Sequence, residues 1–248
     1  IDKPFTMTGT IMEYTGNGIR KDIVEYVQQS IIPQYAFFDK AHREDHAVAV
    51  ITSALRLLDS MPESAREDCK DVLYGKSGDW NPREMLFAAA ACHDLGLAGG
   101  RENHHTDSGK IIRADAKLMQ WFTPDQIETI AQAAEDHRAS VKAAPRTIFG
   151  QLVAEADRII DNDTIVTRCL LFGFASDPSG EKTKEWHIAR CEEHIRKKYG
   201  RGGYIKLWIP WSDNAAKLSE LQDIISDPEA LHAILSKKYD RMKNGESE

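Results

Sequence analysis

His42 and His46 stand four residues apart, so a helix carries both imidazoles on one face. His93 and Asp94 are adjacent, where the apolar run LFAAAAC (86–92) gives way to LGLAGG. His104 and His105 form a second doublet, His137 closes the triplet EDH, and Asp157 lies inside VAEADRIID. Imidazole and carboxylate without thiolate is the donor set of Fe, Mn, Co, Ni or Zn, whereas Mg prefers an all-oxygen shell. Taken one at a time, each residue has an ordinary explanation: a histidine at a helix C-terminus complements the dipole, and an aspartate on an amphipathic helix is solvated. Taken together, they recur at the ends or inner faces of successive helices, which a bundle can converge on one site. Asp94 and Asp157 also adjoin apolar residues, where a lone ionised carboxylate is costly and a bound divalent cation removes the cost.

The elements that must position these groups read as helical. Apolar residues recur at helical spacing almost throughout, with Pro, Gly, Asn and Asp as punctuation. The pattern predicts a helix over about 18–32 that Pro33 ends. The next runs from about 39 to 60, with Ala47, Val50, Ile51, Ala54 and Leu58 as its inward stripe and SMPES as its stop. In DWNPREMLFAAAACHD, Asn81 is the N-cap, Pro82 the first helical residue, and the helix ends near Asp94. Further helices are expected at about 104–119, 123–137, 147–161, 163–173, 182–199, 213–225 and 228–242. YGRGGYIKLWIPW is the one segment suited to a β-hairpin or an aromatic-lined loop. The expected architecture is all-α: one domain over 7–248, with the metal-site core at about 39–161 and a C-terminal helical elaboration from about 174. IDKPFT, ahead of Met7, reads as a cloning remnant.

Composition narrows the function. A formal charge of −7 over 248 residues provides no global attraction for a polyanion, so neither duplex nucleic acid nor an anionic membrane is an expected partner. Cys69, Cys92, Cys169 and Cys191 are far apart, with no CxxC pair, which suits reduced thiols in a cytoplasmic protein. The apolar runs are too short to cross a bilayer.

The ordered set resembles the HD-domain superfamily, in which a His is followed by a His-Asp doublet, often two more His, and an Asp. HAVAVITSALRLL, starting at His46, is similar to its first motif and FAAAACHDLGL to its second. HHTDSG, with His105 four residues before Gly109, is similar to the third; EDHRAS supplies His137, and LVAEADRIID supplies Asp157. The resemblance covers about 39–161 and implies one or two divalent metals. His46, His93, Asp94 and Asp157 would bind the first, with Asp94, His105 and His137 completing the second and Asp94 bridging. His104 is the rival of His105; Asp161 and Asp163 are the weaker rivals of Asp157.

The same resemblance implies a metal-dependent phosphohydrolase that cleaves a phosphomonoester or phosphoanhydride. Two metals roughly 3.5–4 Å apart lower the pKa of a shared water towards about 7 and clamp phosphoryl oxygens for in-line attack. Asp94 would be the catalytic carboxylate. His42 is assigned to substrate contact, and Lys110 and Arg138 to anion contact, with Arg43 and Arg158 as further candidates. The small anionic substrate is expected to be a nucleotide, because basic residues and Tyr199, Tyr204, Trp208 and Trp211 mix in EEHIRKKYGRGGYIKLWIPW. Leu97 departs from the family pattern, since a phosphate-contacting Lys often stands three residues after the Asp. That departure keeps open a dinuclear iron oxygenase, an activity found in another branch of the superfamily.

Overall fold

Apolar stripes of unequal width decide which helices lie inside and which outside. The computed structural model describes residues 18–39 and 42–245, and the segment read as a cloning remnant lies outside them. By backbone contacts the chain divides into two compact units, Ile1–Asp157 and Arg158–Glu248.

In the first unit, α1 (Lys21–Tyr26) continues through a π turn (Val27–Ile31) into a 3-10 helix (Ile32–Phe37). Pro33 therefore opens a new helical turn instead of ending the segment, because a first-turn proline gives up no intrahelical donor. α2 (Glu44–Asp59) buries His46, Ala47, Val50, Ile51, Ala54, Leu55 and Leu58. α3 (Glu63–Asp68) and α4 (Lys70–Tyr74) occupy a stretch to which the apolar pattern assigns no helix. Only Leu73 is buried between them, so neither leaves a stripe in the sequence.

α5 (Pro82–Cys92) starts at Asn81, whose side-chain oxygen accepts from the Arg83 and Glu84 amides at 3.1 and 3.3 Å. Every residue from Met85 to Cys92 is buried, as expected of a helix apolar on all sides. A 3-10 turn (Leu95–Gly99) leads to α6 (His104–Ala114), and a second (Leu118–Gln120) to α7 (Pro124–Glu135), which begins with a Thr123–Gln126 capping box. α8 (Ile148–Asp157) completes the unit. α2 packs on α5 and α8, while α7 packs on α5, α6 and α8. α5 is the axis of this arrangement, so its C-terminal end is the natural focus of the surrounding helix ends.

The second unit contains α9 (Asn162–Ala175), α10 (Lys184–Tyr199), α11 (Asn214–Ser226) and α12 (Pro228–Asn244). It begins at Arg158, ahead of the expected start near 174, because Ile160, Ile165, Val166, Cys169 and Leu170 bury with Ile188, Cys191, Ile195 and Leu235. The segment after α10 takes the loop form. Tyr204 and Ile205 donate back to the Lys197 and Lys198 carbonyls instead of pairing across a hairpin, and no strand occurs among the described residues. The fold class is all-α, and no described helix is long and apolar enough to cross a membrane.

Candidate metal centre

Helix ends deliver the polar groups. His46 lies in the first turn of α2, His93 and Asp94 directly follow α5, His104 is the first residue of α6, His137 lies just past α7, and Asp157 is the last residue of α8. Terminal turns leave backbone carbonyls without intrahelical partners, and His93 and His137 use them. Nδ1 of His93 donates to the Ala90 carbonyl at 2.7 Å, Nδ1 of His137 to Ala134 at 2.6 Å, and Nδ1 of His104 to Arg101 at 2.8 Å. A carbonyl can only accept, so each of these rings carries its hydrogen on Nδ1 and, when neutral, presents a lone pair on Nε2.

These lone pairs converge on carboxylates. Asp94 Oδ2 lies 3.3 Å from His93 Nε2 and 3.7 Å from His46 Nε2, while Asp94 Oδ1 lies 3.3 Å from His137 Nε2 and 3.6 Å from His104 Nε2. Asp157 Oδ1 is 3.2 Å from His46 Nε2 and 3.9 Å from His93 Nε2. The donors form two groups that could each hold a metal ion, His46 with His93 and Asp157, and Asp94 with His104 and His137. Ligand atoms about 2.0–2.1 Å from one ion at tetrahedral or octahedral angles are about 2.8–3.4 Å apart. The shorter separations here are of that length. His93 Nε2 is also buried without a hydrogen bond, and His104 and His137 bring their Nε2 atoms within 3.2 Å. Buried lone pairs aimed at one another and at two carboxylates fit a divalent cation.

The electrostatics agree. Burial acts to lower the His93 pKa, but the Asp94 and Asp157 carboxylates outweigh it and raise it to about 9. Burial acts to raise Asp94, yet His93 and His137 hold it well below the usual carboxylate range; Asp157 is likewise lowered by His46 against burial. Burial, reinforced by His137, lowers His104 to about 4. The centre therefore draws positive charge toward its carboxylates, as protons or as a cation. Side-chain exposure is 0% at His93 and 3% at His137 but 13% at His104 and 23% at Asp157, so the centre meets solvent at those last two residues.

Of the residues singled out in the sequence, His46, His93, Asp94, His137 and Asp157 come together. His104, the rival, stands where His105 is expected: as the first residue of α6 its Nε2 faces Asp94, and the 100° advance to His105 turns that ring away. Arg138 and burial lower the His105 pKa, with burial the larger cause. His42 packs its ring 5.6 Å from that of His46, and its Nδ1 meets Asp39 at 2.8 Å. Lys110 is an exposed partner of Asp107 at 2.8 Å, and Arg138 donates to the Glu102 carbonyl. Asp161 caps α9, and Asp163 pairs with Lys238, so neither joins the cluster.

Two supporting residues are not among the site candidates read from the sequence. Tyr35, fully buried in the 3-10 helix after α1, donates its hydroxyl hydrogen to the Ala91 carbonyl at 2.7 Å and accepts from the Asp94 amide at 3.3 Å. Gly96 approaches α6 so closely that a Cβ there would overlap the His104 carbonyl oxygen and lie 2.6 Å from the Ser108 amide. Its own N–H donates to the Ser108 hydroxyl at 2.9 Å. The glycine after the His-Asp doublet thus lets the turn press against the helix that starts with His104.

Comparison with known families matches residues 43–161 to the HD domain. No curated protein and no solved structure gives a match. The matched span runs from the residue before α2 to the residue capping α9 and contains all six converging donors, and HD domains bind divalent metals. Residues 43–161 of this chain are an HD domain.

Proposed function

We propose that this HD domain is a metal-dependent phosphohydrolase acting on a phosphate ester or anhydride of a small molecule, with a nucleotide as the first class to test. The split allegiance of Asp94 carries the reading: one oxygen faces His46 and His93, the other His104 and His137. In this proposal His46, His93 and Asp157 would hold one divalent ion and His104 and His137 a second, with Asp94 shared between the two groups. Bound ions would supply Lewis acidity toward phosphoryl oxygens and a water whose pKa is lowered to about 7.

The chain's own part is positioning. Asp94 and Asp157 are the only carboxylates in the two donor groups, and the remaining donors are imidazoles, so two bound divalent ions leave the centre net positive. A net positive centre attracts a phosphate although the whole chain is acidic. His42, beside His46, supplies an imidazole for substrate contact at the edge of the donor set.

The test combines metal analysis of protein purified without chelator with phosphate release from nucleotides and sugar phosphates in Mn, Co, Ni, Fe or Zn. Phosphate release that requires the metal and disappears in Asp94→Asn supports the reading. Oxygen consumption by an iron-loaded protein with an organic co-substrate, and no phosphate release under any metal, replaces it with the oxygenase.

A further inference from the structure

A cleft of about 490 Å³ opens in the first unit between the 3-10 helix Ile32–Phe37 with its following residues and the turn after Asp94. Its volume is that of a small-molecule site, in the range of about 300–1,000 Å³. Gln34, Phe37, Phe38, Leu97 and Arg101 give it apolar walls, one amide and one guanidinium, and Asp39 lies at its side.

Three non-covalent connections tie this cleft to the metal centre. The Leu97 amide donates to the Asp94 carbonyl at 2.9 Å, the Arg101 carbonyl accepts from His104 Nδ1, and Asp39 meets His42, whose ring packs on His46. The centre itself is partly open at His104, three residues from Arg101.

Two side chains are placed for binding and contribute little to folding. Phe37 is 89% exposed, whereas its neighbour Phe38 packs on Tyr35 with ring centroids 5.2 Å apart. An aromatic ring left in water at the mouth of a cleft adds nothing to the core and offers a face for stacking. Arg101 pairs with Asp39 at 3.1 Å through side chains 58% and 48% exposed. An exposed pair of this kind contributes about 0–1 kcal/mol, so the guanidinium can turn its fork to an anion at little cost. Gln34 donates to the Ser30 carbonyl and still has its own amide oxygen available to a hydrogen-bond donor on a flat ring.

We infer that this cleft selects the leaving group: it takes the flat aromatic portion of a phosphorylated substrate against Phe37, with Arg101 contacting the phosphate that reaches the metal centre. The inference rests on the phosphohydrolase reading for its catalytic half, while binding of the ring does not depend on that reading.

The experiment uses the full chain and three variants, Phe37→Ala, Phe37→Trp and Arg101→Gln. Adenosine 5′-monophosphate is titrated calorimetrically into metal-depleted protein, and kcat/KM is measured for p-nitrophenyl phosphate and glucose 6-phosphate in metal-loaded protein. Phe37→Ala should weaken nucleotide binding about tenfold and lower the aryl-to-sugar preference by a similar factor, as expected for the loss of one stacking partner, and Phe37→Trp should preserve both. Arg101→Gln should weaken binding of the nucleotide more than that of adenosine. If the wild type does not bind the nucleotide, or Phe37→Ala leaves both binding and preference unchanged, the cleft is not the selective site. If Phe37-dependent binding is present but no ester is hydrolysed under any metal, the cleft stands and the phosphohydrolase reading fails.

Discussion

His104 and His137 present their Nε2 atoms to each other across 3.2 Å while both Nδ1 hydrogens are committed to backbone carbonyls. Neutral rings in this pose oppose two lone pairs, and a cation between them turns the repulsion into shared ligation. His104→Ala should therefore lose the ion proposed between Asp94, His104 and His137 while keeping the ion near His46, His93 and Asp157. His105→Ala should keep both. Metal content measured by atomic spectroscopy on the two variants decides between the adjacent histidines, and equal loss in both would show that α6 starts in a different register.

Asp94 faces both donor groups, so its removal should differ in kind from the loss of any single histidine. Asp94→Asn keeps the shape and one acceptor oxygen but removes the charge that opposes His93 and His137. Bound metal should fall at both positions and phosphate release should vanish with it. A variant that retained full metal content would place the centre elsewhere.

Tyr35 holds the segment that carries Asp94. Tyr35→Phe leaves the Ala91 carbonyl and the Asp94 amide without this hydroxyl in a buried setting, a loss of about 1–3 kcal/mol. Melting should shift down accordingly, and metal affinity should drop about 10–100-fold, as is usual when a group orienting a ligand is removed. A lower melting temperature with unchanged affinity would limit Tyr35 to a packing role.

Gly96→Ala tests the close approach between the Leu95–Gly99 turn and α6. The added methyl group overlaps the His104 carbonyl oxygen, and backbone cannot rotate away as a flexible side chain can. Overpacking of this kind costs about 1–3 kcal/mol. The expected signature is loss of the His104-side metal ahead of global unfolding, read by comparing metal content with the melting curve.

Most of this organisation is legible in the sequence, for reasons that also explain the gaps. Broad stripes, such as Ala47 to Leu58, and punctuation, such as Asn81-Pro82 and Thr123-Pro124, define the long helices. α3 and α4 are invisible because they bury almost nothing. The five donors at helix ends are readable as a set because each differs in chemistry from its apolar surroundings. His104 and His105 are not separable, since one residue of register at a helix start rotates either ring inward. Tyr35 is hidden for a different reason: in a buried segment a tyrosine reads as packing until its hydroxyl is seen on Asp94.

Acid should weaken the carboxylate and guanidinium network that ties α6 to α7. Arg113 donates to both oxygens of Glu128 at 2.7 and 2.9 Å and to Glu135 at 2.5 Å, while Arg146 reaches Glu135 and Asp136. The bonds from Arg113, aided by Gln132, depress Glu128 to about 2. A carboxyl whose folded pKa is lowered contributes its stability fully above the unfolded value, near 4.5, and loses it as the pH falls through the folded value. Glu128 is about half exposed, so solvent screening limits the effect. At pH 7 Glu128→Gln should melt about 1–4 °C below the wild type, and the difference should close between pH 4.5 and about 2. Melting curves at several pH values, recorded on metal-depleted protein so that metal release does not contribute, check this. A difference that persisted unchanged at pH 2 would assign the effect of Glu128→Gln to packing and not to its charge.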